Sequence, residues 1–194
     1  MNYYQQKQFL AVIDKKDHVI GRIEKWQAHK KGILHRGFTV ILFYQDQIIL
    51  QHRKHPVFDG YFDLTFSSHP VFKDNLLQNN LEAVFESLRR EWDIEKKDLV
   101  GRPAPLGKLY YRAKDPVSKF IEHEIDYIFS VTLNKIPKPN LDFAYGFSMI
   151  KKDQRVNNNF LSKKKLTPWA KKIISKLKKG DRLQFCEIRE LGKE

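Results

Sequence analysis

Residues 38–44 (FTVILFY) are apolar at nearly every position. A strand with one wet side alternates apolar and polar residues. This one does not, so it is expected to be buried on both faces. Gln45, Asp46 and Gln47 then form a turn, and residues 48–51 return as the hairpin partner. The rest of the chain has to cover both sides of that strand.

The 194 residues match one domain in length and suffice for a sizeable core. No apolar run is long enough to cross a membrane, and MNYYQQKQFL lacks the pattern of a signal peptide. Cys186, the single cysteine, excludes an internal disulfide and fits a reducing, cytoplasmic compartment. The formal charge of +13 is unevenly spread. Residues 1–150 carry 22 Lys and Arg against 18 Asp and Glu, whereas residues 151–194 carry 14 against 5. Such a segment can meet nucleic acid, an anionic membrane or an anionic substrate. Its simplest role is a solvated surface, and nucleic acid is not expected as a partner.

Residues 9–14 (FLAVID) and 18–23 (HVIGRI) read as short strands around a turn. His29 and His35 follow on a segment broken by Gly32, six residues apart and able to face one point. Arg53, Lys54 and His55 end the hairpin, where cations suit phosphate oxygens. Further strands are expected at 106–112, 120–133 and 144–150. Leu77, Leu81, Val84, Phe85, Leu88 and Trp92 form one stripe at helical spacing. Ser87 and Glu91 border that stripe, while Glu82, Glu86 and Arg90 point away. A border carboxylate such as Glu91 needs a cation, a metal or a backbone amide as partner. Thr167 followed by Pro168 starts a last helix. Its Trp169, Ile173, Ile174 and Leu177 face inward, Lys171, Lys172, Lys176, Lys178 and Lys179 face out, and Gly180 ends it. A final strand (LQFCEI) is expected within 181–194.

Two stretches carry candidate chemistry. Residues 58–91 hold a Gly turn, a short aromatic strand, Ser67-Ser68-His69-Pro70, a loop, and a helix with Glu91 near its end. Ser, His and Glu gathered in this way suit a metal or phosphate site. In 120–133 (FIEHEIDYIFSVTL), Glu122, Glu124 and Asp126 have the same parity and share one strand face. Ile121, Ile125, Phe129 and Val131 line the other. Three carboxylates in a row repel one another unless something positive lies over them, which points to a divalent cation.

Five blocks in order, AHKKGILHRGFTVILF, FDGYFDLTFSSHP, YYRAKDP, EHEIDY and LTPWAKKII, resemble the type I isopentenyl-diphosphate isomerases, a branch of the Nudix superfamily. The resemblance runs over about residues 10–178. It implies an α+β fold, a Nudix α/β/α sandwich with a mixed central sheet. Residues 1–194 would form a single domain, with its core at about 10–178 and a basic extension at 179–194. It further implies a small-molecule diphosphate substrate and a reaction moving a double bond between isopentenyl and dimethylallyl diphosphate.

Carried over by position, the family's metal site falls on His29, His35, His69, Glu122 and Glu124. That donor set suits Mn²⁺, Zn²⁺ or Mg²⁺. A second metal, Mg²⁺, would take Glu91. Glu124 would also protonate the alkene with help from Tyr111, and Trp169 would set its π face against the developing cation. Lys25 and Arg53 match diphosphate-binding positions, and Ser68 joins them as a substrate-binding candidate. The chain departs from the family at three places. Ser67 replaces the catalytic Cys. Leu64 replaces an Asn. Ser87 replaces a phosphate-binding Arg, and the loop after Arg53 is two residues shorter than the family's. The Nudix hydrolase box is reduced to Glu86-Ser87-Leu88-Arg89-Arg90-Glu91, which keeps one of its three glutamates. Ser is a poorer proton shuttle than Cys without a base beside it. Two alternatives therefore stay open: a Nudix-type hydrolase of a diphosphate, and a catalytically weak binding protein using its basic C-terminal segment.

Overall fold

A computed structural model describes residues 3–151 and 164–176. In chain order these form β1 (Phe9–Ile13), β2 (Val19–Glu24), α1 (Lys25–Lys31), β3 (His35–Tyr44) and β4 (Gln47–Arg53). The short β5 (Phe62–Asp63) and β6 (Phe66–Ser68) follow, then the hairpin of β7 (Phe72–Lys73) and β8 (Leu76–Leu77). After α2 (Asn80–Trp92) come β9 (Ala104–Lys114), β10 (Ile121–Leu133), β11 (Ala144–Lys151) and α3 (Pro168–Lys176).

The sheet is built around β3. Along its whole length β10 runs parallel to it, from Glu124 opposite His35 to Leu133 opposite Tyr44. On the other edge β1, β6 and β4 pair with it antiparallel in succession. Beyond these, β9 adds to β10 and β11 to β4, both antiparallel. The sheet is therefore mixed. Phe38, Val40 and Leu42 meet Val84, Leu88 and Trp92 of α2. Ile41 and Phe43 meet Trp169, Ala170 and Ile173 of α3 on the opposite side. Residues 38–43 are thus buried on both faces, with Tyr44 half-buried at the strand's end, and each large side chain so buried stabilises the fold by ~1.5–3 kcal/mol. Helix, sheet and helix stack as the expected α/β/α sandwich.

Three local readings change. Residues 25–31 form a helix that the sequence alone did not reveal. Its N-cap is the Glu24 side chain, which accepts from the Trp26 and Gln27 amides, and Gly32 closes it at φ +62°. Second, α2 starts at Asn80 because Asn79 and Glu82 form a capping box, so Leu77 lies in β8 and Leu81 is 43% exposed. The helix's buried stripe is narrower than its apolar residues suggest. Third, Arg90 turns into the site described below instead of away from it. The Thr167 start holds, with the Ala170 amide donating to Thr167 Oγ1 at 3.3 Å. Leu177, Lys178, Lys179, Gly180, Cys186 and the strand expected in 181–194 lie outside the described residues. No helix of the described residues is long and apolar enough to cross a membrane.

Candidate active site

His29 comes from α1, His35 from the first position of β3, His69 from just after β6, and Glu122 and Glu124 from β10. The parallel register sets Glu124 beside His35, so the even positions of β10 and the odd positions of β3 share one face. Two residues beyond His35 on that face is Gly37, opposite Asp126, where a Cβ would lie 2.6 Å from the Glu124 carboxyl carbon. The missing side chain is what leaves room for that carboxylate. One ligand atom from each of His29, His35, His69, Glu122 and Glu124 lies within 4.8 Å of all the others, and all five residues are buried or nearly so. His29 Nε2 is 3.2 Å from Glu122 Oε2. His35 and His69 reach Glu124 Oε1 at 3.3 and 2.8 Å.

Backbone carbonyls fix two of the imidazoles. His29 Nδ1 donates to the Lys25 carbonyl and His35 Nδ1 to the Ile33 carbonyl, each at 2.7 Å. A carbonyl only accepts, so Nδ1 carries the hydrogen and Nε2 is aimed into the cluster with its lone pair free. Among the described residues, His29 Nε2 and Glu122 Oε2 are buried and face each other at 3.2 Å, but with neutral His29 neither has a well-aligned hydrogen-bond partner. Orphaned buried polar atoms are costly, and a cation bound between them would relieve that cost. Three imidazoles and two carboxylates with such unpaired atoms fit a divalent cation. In the protein alone, burial disfavours a charged His29, but the Glu122 carboxylate outweighs it and raises the group. Burial pushes His69 down to about 4. Glu124 resists burial because His35 and His69 hold it well below the usual carboxylate range.

A second row of groups leads away from the cluster. Tyr111 donates to Glu124 Oε2 at 2.6 Å, and burial beside that charge keeps the phenol protonated. Its ring stacks on Trp169, with centroids 5.4 Å apart and planes 26° apart. The Trp169 Nε1–H is shared between Ser67 Oγ at 2.9 Å and Asp63 Oδ1 at 2.8 Å. Ser67 Oγ is also 2.9 Å from Thr39 Oγ1, which donates to Asp126 Oδ2 at 2.8 Å. Burial and then the Glu124 charge raise Asp126 well above the usual range. The residues proposed for proton handling are therefore contiguous.

On the other flank, Lys25 is buried, and its ammonium lies 5.4, 5.8 and 5.0 Å from the rings of Tyr3, Tyr4 and Trp26. No carboxylate among the described residues forms an ion pair with it. Arg53 donates to Asp63 Oδ2 at 2.7 Å, and its guanidinium sits 5.3 Å from the Trp169 ring centroid. Lys54 is exposed and donates to the Leu141 carbonyl, and burial keeps His55 neutral. Neither offers a free cation at the hairpin's end. Arg90 donates to Glu91 at 2.9 Å, to Ser87 Oγ at 2.8 Å and to Ser68 Oγ at 3.3 Å. Glu91 is thus held by Arg90 and stands outside the five-residue cluster. A cleft of about 200 Å³ opens here, lined among others by Tyr3, His69, Lys73, Ser87 and Arg90.

Sequence reasoning missed Gly37, Asp63, Thr39 and Arg90. Each owes its place to a contact across strands or between a strand and a helix. The missing Cβ at position 37 was the one local signal.

A mixed sheet between helices, with a buried cluster of metal-ligating type at the end of its parallel strand pair, is a Nudix-type fold that carries a candidate metal site. Two solved structures share the fold. One is DR0079 from Deinococcus radiodurans, with TM-score 0.65 and 14% identity over 88% of this chain and 99% of that one. The other is a MutT NUDIX hydrolase from Burkholderia pseudomallei, with TM-score 0.50 and 16% identity over 73% and 96%. No family model matches the chain. Among curated proteins it is 33% identical to isopentenyl-diphosphate Delta-isomerase 1 of Mesocricetus auratus, over 88% of this chain and 84% of that protein. It is 28% identical to isopentenyl-diphosphate delta-isomerase 2 of Homo sapiens, over 88% and 82%. Against the chloroplastic isomerase II of Arabidopsis thaliana, also 28% identical, the chain spans 64% of the relative's length. The chain belongs to the isopentenyl-diphosphate Delta-isomerase family.

Proposed function

We propose that the protein interconverts isopentenyl and dimethylallyl diphosphate, using a divalent cation held by His29, His35, His69, Glu122 and Glu124. The supporting observation is continuity. Glu124, Tyr111, Trp169 and Ser67 form one unbroken row of contacts that starts in the metal-type cluster. The cation, when bound, would neutralise the two carboxylates and fix the direction in which Glu124 points. Mn²⁺ and Zn²⁺ suit a set of three imidazoles and two carboxylates better than Mg²⁺, which prefers oxygen ligands. Glu91 remains the candidate ligand for a second ion, Mg²⁺, at the diphosphate.

The roles follow from the contacts. Tyr111 donates to Glu124 at 2.6 Å, and the pair would deliver a proton to the terminal alkene carbon, the phenol's hydrogen making good the one that leaves through Glu124. Trp169, backed by Tyr111, offers π density to the positive carbon that results. Ser67, at the indole Nε1, takes a proton from the carbon next to it. Lys25 and Arg53, with Ser68 beside Arg90, serve the diphosphate. A buried ammonium set among aromatic rings, with no carboxylate at ion-pair distance among the described residues, is poorly compensated until an anion arrives.

The hydrolase reading lacks support on α2, where Arg90 stands at a box-glutamate position and binds Glu91 itself. The test is to incubate purified protein with isopentenyl diphosphate and Mg²⁺ or Mn²⁺, following the dimethylallyl product and phosphate release separately. Dimethylallyl diphosphate without phosphate is expected. Phosphate alone would replace this reading with hydrolysis.

A further inference from the structure

Asp63 has no part in the reaction as described, yet it is fully buried at the centre of the second row. Its Oδ1 accepts from the Leu64 amide at 2.8 Å, from Trp169 Nε1 at 2.8 Å and from Thr167 Oγ1 at 3.2 Å. Its Oδ2 accepts from Arg53 at 2.7 Å and from the Ser67 hydroxyl at 3.1 Å. That is five donors on one buried carboxyl group, one of them a guanidinium.

The hydrogens around Ser67 have few places to go. Thr39 gives its own to Asp126, and Trp169 points Nε1–H at Ser67 Oγ. The Ser67 hydrogen then has two acceptors in reach, Thr39 Oγ1 at 2.9 Å and Asp63 Oδ2 at 3.1 Å, and of the two the carboxylate is the one that can take up a proton. An aliphatic hydroxyl becomes an effective base or nucleophile only when a neighbouring base takes its hydrogen. The family's thiol needs no such neighbour, because it is acidic enough by itself.

We infer that Asp63 is a positioning residue that lets Ser67 stand in for the family's cysteine, accepting the Ser67 hydrogen while Ser67 removes the substrate proton. This rests on the isomerase reading. In the step, the C–H bond next to the cationic carbon breaks and its electron pair becomes the new double bond. The proton forms a bond to Ser67 Oγ, and the hydrogen already on Oγ passes to Asp63 Oδ2. The resting state returns when Asp63 gives that hydrogen back and Ser67 releases the extra one to water. A proton beside a carbocation is strongly acidic, so the modest basicity of this pair is enough. Asp63 also holds Trp169 through the same indole N–H, which keeps the π surface and the base in fixed relation.

The test is a cycle of wild type, Asp63→Asn, Ser67→Cys and the double variant, each first checked for folding by circular dichroism. Isomerisation is then measured with Mg²⁺ as kcat and KM. Loss of a proton-transfer partner typically costs about 10²–10⁴-fold. Asp63→Asn is therefore expected to lower kcat by about 100-fold with Ser67 in place, while any change in KM, which would come through Arg53, should be the same in both backgrounds. The cost should be at least about tenfold smaller with Cys at 67, where the thiol needs no acceptor. Equal losses in the two backgrounds would make Asp63 merely structural and overturn the inference. Wild type unable to isomerise would overturn the isomerase reading, and this inference with it. Should Asp63→Asn fail to fold, wild type and Ser67→Cys are compared in H₂O and D₂O. The Ser67 hydrogen exchanges with solvent and moves in the step, so wild type should show the larger solvent isotope effect on kcat; equal effects would overturn the inference.

Discussion

Gly37 lies directly under the carboxylate of Glu124, where a Cβ would come within 2.6 Å of the carboxyl carbon. Glu124 can move aside only by giving up its contacts with Tyr111, His35 and His69, at 2.6, 3.3 and 2.8 Å. Gly37→Ala is expected to displace Glu124 while leaving the protein folded. Disturbing a residue that orients a ligand typically costs about 10–100-fold in metal affinity. Calorimetric titration with Mn²⁺ checks this, and affinity within about twofold of wild type would show that the pocket relaxes freely.

Metal affinity should rise with pH. Glu122 holds His29 above its ordinary value of 6.5, although burial opposes this. Below 6.5 the raised group is protonated, and its pairing with Glu122 then stabilises the metal-free fold in full. That stabilisation fades as pH climbs through the raised value. Binding must expel the proton, so affinity should increase with pH above 6.5 and level off once His29 is neutral. A flat titration profile between pH 6 and 9, measured as Mn²⁺ binding, would contradict the placement of His29 among the ligands.

Glu124→Gln removes both a ligand charge and the acceptor of the Tyr111 hydrogen. Activity on isopentenyl diphosphate is expected to fall by about 10²–10⁴-fold. The test is steady-state kinetics with saturating Mg²⁺. Activity within a factor of about two would place the chemistry elsewhere.

Lys171, Lys172 and Lys176 project from α3 into solvent. Reversing all three charges should change stability by less than about 1 kcal/mol. Activity should be nearly unchanged as well. A role with nucleic acid predicts instead RNA or DNA binding that weakens steeply with salt. Filter binding at two ionic strengths separates the cases, and salt-sensitive binding lost on charge reversal would refute the solvated-surface reading.

Some of this site can be read in the sequence because it depends on one strand at a time. A period of two forces Glu122, Glu124 and Asp126 onto one face whatever their neighbours do, and all three are indeed buried on one side of β10. The unalternating run 38–44 needs cover on both faces in any fold. The Thr167-Pro168 start and the stripe of Val84, Leu88 and Trp92 are equally local. Helix α1 escaped notice because seven residues, capped by a Glu side chain, hold too few apolar positions to show a period.

The sequence by itself thus determined which residues could be donors, which strand had to be central and which helices had an inner side. Only the tertiary structure decided which donors meet. The parallel register of β3 and β10 joins His35 to Glu124 across nearly ninety positions of chain. The same pairing makes Gly37 necessary. The seating of α3 brings Trp169 to Ser67 and Asp63, and the turn of α2 sends Arg90 inward to Ser87 and Glu91. Periodicity along a chain is set by backbone geometry, residue by residue. Register and packing are chosen by the energy of the whole core, and no local pattern encodes their outcome.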